Sequence, residues 1–498
     1  MKSIDRLVAW FSPERAVRRM AARSALAYYE GAEPSRLRKF HRERGTANQL
    51  VRKAAKPLRD QARHLERNHD IVTGALRTFA NNVVGASGVG IEPQPRRRDG
   101  TIHQDYADRL LEAWRDWERS PEVTRRFDWS RTQRMLAKSW ARDGEVFAQR
   151  LAGPVALLDH NTRVPYSLEL LEADMIPGDY DGTNGSAKIL QGCERNAWGQ
   201  PTAWWAYKTS PDDTWAASTS NLKRIPADRM LHIAHLERIH QIRGVSMLAS
   251  VITRLEDIKD YEESERVAAK IAAMLTAYVK KGTADTYGDP GGDPGTNPST
   301  NPRTLSLTPG TIIDTLRPGE EIGMIDSKRP NPNVVTFRQG QLRAAAAGFP
   351  ISYSSLARDY NGTYSAQRQE LVEQYVHYAC ATDDFVGMAV LPVWTEFVRI
   401  AHLSGVVPMP RDLKPGTEDD ALYVAQAMPW INPLHEAEAS AALIAAKLSS
   451  PQEQIRRRGA NPNHVIEQLR AWQSLTSDLP ASDGTPPAQP APTTKPSA

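Results

Sequence analysis

The chain has 498 residues, of which 40% are hydrophobic and 24% are charged, a composition typical of a folded protein with several domains or layers. Its two cysteines, Cys193 and Cys380, exclude a disulfide framework and the usual cysteine-based zinc sites, and they fit a reducing compartment. There is no run of about 18 apolar residues, so we expect no transmembrane helix and no role at a membrane. The first residues precede no apolar segment, so we expect no secretory signal.

The net charge of +4 is unevenly distributed along the chain. Residues 1–98 carry 21 Lys and Arg against 9 Asp and Glu, a net charge of +12, whereas the other 400 residues carry 42 against 50, a net charge of −8. A basic arm on an acidic body predicts contact with a polyanion or with an acidic protein surface. A solvated, arginine-rich helical surface is the alternative interpretation.

Helical periodicity dominates the first part of the chain. Residues 1–40 form a weakly amphipathic arm, and a glycine-punctuated apolar run at 83–91 predicts a turn and a strand. The last helix of this part is expected to begin at Ser130 as N-cap and to end at Gly144. The predicted helices are two within 50–82, one at 106–119 and one at 130–143.

Between residues 145 and 235 the hydrophobic pattern changes to the alternation of strands, which predicts a β-rich layer. The third and fourth of these strands are expected to form a hairpin across 196–201. The predicted strands are 145–150, 167–171, 188–194, 202–208 and 230–234.

Two long helical stretches follow this layer. Residues 246–280 predict one long helix, or two in line, of about 50 Å if continuous. Residues 365–404 predict the second stretch, which Pro392 should kink or divide. The segments around these stretches are a Gly- and Pro-rich flexible loop at 282–303, short strands and turns at 305–336, shorter helices at 433–475 and a disordered tail from 477.

The search for catalytic residues is mostly negative. The glycines at 85–90 lack the Lys-Ser/Thr of a P-loop and the dinucleotide spacing, and no Gly-x-Ser-x-Gly elbow exists, so we expect no catalytic or cofactor site. His232, His235 and His240 do not have the helical spacing of a zinc site, which favours packing or surface roles. A metal-dependent nuclease remains the alternative function, because carboxylates can hold two metal ions. Its candidate ligands are Asp143, Glu145, Glu169, Glu172 and Asp174.

Eight short motifs run through the chain between about residues 52 and 475. Their main residues, in chain order, are Gly85 within the 83–91 turn, Gly144-Glu145, the 170–174 stretch, Gly199-x-Pro201, Gln241-Ile242-Arg243-Gly244, Pro318-Gly319-Glu320, Tyr364-Ser365 with Arg368, and Trp430 with Pro433. In this order the motifs resemble the lambda-type family of tailed-phage portal proteins. The stretch 241–246 is the most specific, and the sequence departs from the family pattern at Ala366, where a second serine is usual.

The resemblance implies an α+β, mainly helical subunit of a ring, typically a dodecamer, with wing, stem, clip and crown regions. It implies a virion protein, assembled in the bacterial cytoplasm, at the capsid vertex through which double-stranded DNA is packaged and ejected. The implied partners are the terminase large subunit, the major capsid and scaffold proteins, and later the head-completion and tail proteins. ATP hydrolysis belongs to the terminase, so we expect no enzyme activity and no cofactor. A non-ring capsid or scaffold protein is a further alternative.

The resemblance also implies how the chain is divided. One helix face after Ser365 is expected to line the channel, with a solvated outer face as the alternative, and it consists of Gln367, Glu370, Gln374 and His377. The implied regions are a basic arm (1–50), a helical and β-rich wing-like region (51–235), a stem-like helix with loop and strands (236–364), a long helical channel or wing region (365–428), a crown-like helical region (429–476) and a disordered tail (477–498).

Overall fold

The structure is a computed structural model that describes residues 45–211, 221–274, 278–281, 320–323, 333–426 and 432–476. Residues 1–44 of the predicted basic arm, the loop at 282–303 and the C-terminal tail lie outside the described residues, and residues 47–50 of the arm begin helix α1. By its internal contacts the chain divides into Met1–Leu50 and Val51–Ala498, and the described sheets and hydrophobic core belong to the second unit.

The fold is α+β and mainly helical, as the sequence predicts. The helices are α1 (Ala47–Asn68), α2 (Asp70–Val84), α3 (Gln104–Trp117), α4 (Trp129–Asp143), α5 (Ile252–Met274), α6 (Val334–Gly348), α7 (Tyr353–Ala357), α8 (Tyr364–Phe385), α9 (Leu391–Leu403), α10 (Pro433–Ala445), α11 (Pro451–Arg457) and α12 (Pro462–Thr476). The strands are β1 (Gly90–Pro93), β2 (Glu145–Ala152), β3 (Tyr166–Glu172), β4 (Gly182–Asn184), β5 (Ala187–Leu190), β6 (Cys193–Arg195), β7 (Pro201–Tyr207), β8 (Leu222–Pro226), β9 (Met230–Ala234), β10 (Tyr278–Lys281), β11 (Glu320–Gly323) and β12 (Ala421–Val424).

Two antiparallel sheets form the predicted β-rich layer. The first has the order β3-β2-β9, and the register places Phe147 opposite Leu171 on one side and His232 on the other. The second is a five-stranded meander in the order β4-β5-β6-β7-β8, in which β6 and β7 form the predicted hairpin. The strand predicted at 188–194 is divided into β5 and β6 by a turn at Gln191-Gly192, where both residues have positive φ.

One hydrophobic core draws on residues from α1 to the segment after α9. At its centre, Trp114 and Trp117 lie three residues apart on one face of α3, with ring centroids 4.6 Å apart. Trp394 of α9 meets Trp114 edge-on at 5.3 Å, and the Trp117 indole Nε1 donates to the Tyr166 carbonyl at 2.8 Å. Such aromatic pairs contribute about 0.5–1.5 kcal/mol beyond their area burial, so this cluster joins α9 firmly to the first half of the chain.

The first long helix is shorter than the sequence predicts. Residues 247–251 form turns, α5 spans 23 residues or about 35 Å, and β10 pairs with β11 where the prediction continued the helix to residue 280. The prediction was wrong there because pairing with a distant strand overrides helical periodicity at Tyr278-Val279, residues that favour strands. Another correction concerns 334–336, predicted as strand and turn, which begin helix α6.

The second long helical stretch is confirmed, and it is interrupted next to Pro392. A π-helical turn, Val386–Val390, lies between α8 and α9 and contains Met388, the residue four positions before Pro392 whose carbonyl a proline cannot bond in a regular helix. By length and composition Tyr364–Leu403 is the one described helical stretch that could cross a membrane, and 44% of its most apolar window is buried in the subunit. Phe385, Trp394 and Phe397 are fully buried in the core, which accounts for that apolar composition.

The two ends of α4 differ in how well they match the sequence prediction. Gly144 ends the helix in the left-handed conformation, with φ of 84°, as predicted. The N-cap is Asp128 rather than Ser130, because the Asp128 carboxylate accepts from the Arg131 backbone N–H at 2.7 Å. Ser130 donates its hydroxyl to the same carboxylate at 2.9 Å.

Candidate functional site

Five of the motif residues meet at one buried junction: Gly144, Glu145, Gln241, Arg243 and Gly244. The junction lies where α4 ends and β2 begins, and where the segment between β9 and α5 crosses that point. It therefore connects the β-rich layer to the start of the first long helix.

Two backbone segments approach each other here more closely than any side chain allows. A Cβ atom on Gly244 would lie 2.1 Å from the Gly144 carbonyl oxygen, and a Cβ atom on Gly144 would lie 2.1 Å from the Val245 carbonyl carbon. The His235 N–H donates to the Gly144 oxygen at 2.7 Å, which closes the contact. Both glycines are thus required by the close approach, and Gly144 also by its positive φ.

The Glu145 carboxylate is the acceptor at the centre of the junction. It receives the Arg243 Nε–H at 2.8 Å, the Gly244 backbone N–H at 2.9 Å and the His232 Nε2–H at 3.0 Å. Burial alone would raise the pKa of Glu145, but the positive charge of Arg243, together with the His232 hydrogen bond, holds that pKa well below its usual range. Glu145 is therefore ionised inside the fold.

The terminal N–H groups of the Arg243 guanidinium also donate hydrogen bonds to backbone carbonyls. One terminal nitrogen donates to the Ile176 and Gln191 oxygens at 3.2 and 3.0 Å, and the other donates to the Ala173 oxygen at 3.2 Å. The guanidinium also lies over the Phe147 ring, 5.5 Å from its centroid. The side chains of Glu145 and Arg243 are only 1% and 4% exposed, so this is a fully buried ion pair that ties four segments together.

A second layer of charge surrounds the pair. Asp143 accepts two hydrogen bonds from Arg63, at 3.0 and 2.9 Å, and two from Arg142, both at 2.8 Å. Burial would raise the pKa of Asp143, and the two arginines lower it below its usual range. Arg63 also pairs with Asp174 at 2.6 Å, and Arg59 lies between Asp174 and Glu145.

The carboxylates predicted as candidate metal ligands of a nuclease are each paired with a cationic side chain. Asp143, Glu145 and Asp174 do come together, but arginines occupy their oxygens. Glu169 pairs with Lys223 at 3.0 Å, and Glu172 lies 3.5 Å from Arg63. In the described part of the chain no group of three or more acidic, His or Cys residues has an arrangement that could hold a metal ion. The geometry is that of a charge-balanced structural junction.

The candidate histidines have separate partners. His232 stacks on Phe147 with ring centroids 4.5 Å apart, in addition to its hydrogen bond to Glu145. His235 lies 3.7 Å from Glu237. Burial lowers the pKa of His235.

The other motif residues lie away from the junction. Gly85 ends α2 with φ of 86°, close to Gln426. Tyr364, Ser365 and Arg368 are exposed in the first turns of α8. Glu320 begins β11 and Pro433 begins α10, whereas Pro318, Gly319 and Trp430 lie outside the described residues.

Gln374 needs correction as a residue of the predicted channel-lining face of α8, and for Gln367 and Glu370 that role stays a prediction. Gln374 is 5% exposed and donates to the Pro350 carbonyl at 3.1 Å, so it cannot border an open channel. Glu370 accepts from the Ser354 N–H at 3.1 Å, and Gln367 donates to the Tyr360 carbonyl. Glu370 and Gln374 therefore contact the segment just before α8, and Gln374 is the one of the four that is buried there.

Other side chains of α8 are exposed in the single subunit. Val372 is exposed, as is Val376 one turn later. His377 is exposed too, and whether it borders a channel stays a prediction.

Sequence reasoning missed Arg59, Arg63, Arg142 and His232 as partners of the junction. One signal was present, because Arg59 and Arg63 lie four residues apart and therefore on one face of α1. Their acidic partners are about 80 to 115 residues away along the chain, so no local pattern could identify them.

Comparison with known proteins gives a consistent result. The family model "Phage portal protein, lambda family" matches residues 33–381. A "probable portal protein" of Halomonas phage phiHAP-1 is 23% identical over 444 residues, covering 85% of this chain and 81% of that protein. The "portal protein" of Escherichia phage N15 is 20% identical over 270 residues, 49% of this chain and 51% of that protein.

Solved structures were compared as well. A chain from the neck of a native GTA particle, computed with C12 symmetry, aligns at a TM-score of 0.43 and 12% identity, covering 83% of this chain and 99% of that one. An HK97 family phage portal protein from Corynebacterium diphtheriae aligns at a TM-score of 0.27 and 9% identity, covering 61% and 84%. The family match spans well over half of the sequence, and on that ground the chain belongs to the lambda family of phage portal proteins.

Proposed function

We propose that this chain assembles into a closed ring, a dodecamer, at one capsid vertex, and that double-stranded DNA passes through the ring during packaging and ejection. The family match carries this proposal. The site geometry supports it, because the motif residues form a charge-balanced junction with a mechanical role rather than a reactive centre.

The junction explains how a ring subunit can hold its long helix at a fixed angle. Gln241 Nε2 donates to the Arg243 carbonyl at 2.8 Å, which shapes the segment leading into α5. His69, between α1 and α2, donates to the Leu255 carbonyl at 3.0 Å in the first turn of α5. α5 packs against α6 through Tyr261 and Phe337, whose rings are 4.8 Å apart. We infer that this helix pair is the stem of the ring.

The exposed apolar side chains of this pair favour contact with neighbouring copies. Val267 on α5 and Val335 and Phe337 on α6 are exposed in the single subunit. Identical copies related by a rotation that closes would cover such side chains with heterologous contacts.

The proposed partners follow from the family. They are the terminase large subunit during packaging, the capsid and scaffold proteins around the ring, and the head-completion and tail proteins afterwards. We propose that assembly takes place in the bacterial cytoplasm and that the ring stays in the virion.

Mass photometry and negative-stain microscopy of the purified chain test the ring. We expect closed rings with a central channel at micromolar concentration. A strictly monomeric mass at physiological salt would contradict the proposal.

DNA passage requires a second experiment. Proheads carrying this chain should package DNA when terminase and ATP are supplied, and proheads without it should not. Incubation of the pure chain with DNA and Mg²⁺ or Mn²⁺ tests the nuclease alternative, and we expect intact DNA. Cutting that persists in the purified wild type and disappears in Asp143→Asn would favour the enzyme instead.

A further inference from the structure

The C-terminal helices α10, α11 and α12 expose apolar side chains that their own subunit leaves uncovered. Within the described chain, α10 and α11 contribute no buried residue. Six large apolar side chains of the segment are 36% to 79% exposed, and they are Leu434, Leu443, Leu448, Leu469, Trp472 and Leu475. Helices of 7 to 15 residues are marginal alone, so an apolar surface of this kind indicates a contact in the assembled state.

The charges of this segment are separated along the sequence. Residues 433–446 contain Glu436 and Glu438 and no Lys or Arg, a net charge of −2 with neutral His435. Residues 447–476 contain five Lys and Arg against two Glu, a net charge of +3. One end of the segment is therefore acidic and the other basic, and both carry apolar side chains.

The ion pairs of these helices include contacts within one helix and a contact to the body of the subunit. Glu438 lies 3.5 Å from His435 of the same helix, and Arg457 pairs with Glu453 of the same helix at 2.7 Å. Arg456 forms two hydrogen bonds of 2.9 Å with Glu92, a nearly buried carboxylate on β1. The basic end is thus held to the body of the subunit.

We propose that α10 of one copy packs against α11 and α12 of the next copy around the ring. The inference rests on the ring proposed above and names one of its contacts. Complementary charge aligns the acidic helix with the basic pair, and the exposed leucines and Trp472 form the apolar part of the interface. The contact is heterologous, so each copy uses its acidic end toward one neighbour and its basic end toward the other.

Charge reversal in the full-length chain tests this contact. One variant makes α10 basic, Glu436→Lys with Glu438→Lys, and the other makes α11 and α12 acidic, Arg457→Glu with Arg470→Glu. We expect each to raise the protein concentration needed for half-maximal ring formation by about tenfold or more, measured by mass photometry at about 0.15 M salt. Glu112→Lys, a charge reversal on exposed α3, is the matched control and should assemble as the wild type does.

Mixing the two variants separates contacts between copies from contacts within one. In an alternating ring with an even number of copies, every basic α10 meets an acidic α11–α12 pair and the reverse, so an equimolar mixture should recover ring formation. A contact within one chain cannot be rescued by mixing. Circular dichroism of each variant should match the wild type, which shows that the helices still form.

The outcomes distinguish this inference from the proposed function. If the wild type itself forms no ring, the proposed function fails. If the wild type forms rings and both reversed variants assemble equally well, only this contact is wrong. If the variants lose assembly and mixing does not restore it, the helices are covered by something else, such as residues 1–44 or 477–498 of the same chain, and the inference is overturned.

Discussion

Removal of the Arg243 cation should destabilise the subunit strongly. In Arg243→Met the side chain keeps its length but loses its charge and all its donors. The Glu145 carboxylate, 1% exposed, then loses its closest cation, and the Ala173, Ile176 and Gln191 carbonyls each lose one hydrogen-bond donor. Breaking a buried ion pair from one side costs about 3–5 kcal/mol, because a charge stays buried without its partner. His232 and Arg59 still face Glu145, so we expect a value inside this range rather than above it.

Urea unfolding followed by tryptophan fluorescence measures this change. If the free energy of unfolding falls by about 3 kcal/mol per molar urea, the urea concentration at half-unfolding should be lower by about 1 M or more in the variant. Arg163→Met is the matched control, because Arg163 pairs with Glu112 and Asp116 at 51% exposure, and exposed pairs contribute about 1 kcal/mol or less. Hydrogen exchange should also become faster in residues 235–251, the segment that the junction holds.

A double variant tests whether the two side chains act as a unit. Glu145→Met added to Arg243→Met removes the uncompensated charge. The double variant should therefore lose less unfolding free energy than the sum of the losses of the two single variants, by at least about 2 kcal/mol. Additive effects would show that the two side chains do not act as a buried pair. A loss below about 1 kcal/mol for Arg243→Met alone would show that the junction is open to water.

Three further changes test other contacts of the subunit. Gly244→Ala should cost about 3 kcal/mol or more in urea unfolding, because its Cβ would lie 2.1 Å from the Gly144 oxygen, and wild-type stability would refute the close approach. Gly340→Ala, in α6 with open space around the new methyl group, should instead stabilise by about 0.5–1 kcal/mol, and a loss would mean that this position is packed. Hydrogen bonds from Arg224 lower the pKa of Glu194 to about 2, so the stability from this pair is present above the unfolded pKa of about 4.3 and is lost as pH falls toward 2. Glu194→Gln should therefore be less stable than wild type at pH about 7, with a difference that shrinks below pH about 4, and an unchanged difference in acid would contradict the assignment.

Several features could be predicted from the sequence because they depend on local pattern. The helices α1 to α4 and the strands β2, β3 and β9 follow from hydrophobic periodicity, and Gly144 follows from helix-end chemistry. The order of the short motifs was enough to indicate the family. These signals lie within a few residues of one another, so each can be read without knowing the fold.

Tertiary structure alone decided which groups meet. Glu145 and Arg243 are 98 residues apart, and only the crossing of two backbone segments at Gly144 and Gly244 brings them together. α5 ends before residue 280 because the chain at Tyr278–Lys281 pairs with a strand some forty residues later, and the helical periodicity of residues 246–280 contains no information about that partner. Both sides of α8 carry polar and apolar residues, so hydrophobic periodicity could not identify the side that faces the core of the subunit. Gln374 is buried because the Pro350 carbonyl needs a donor there, and that need exists only after the chain has folded back.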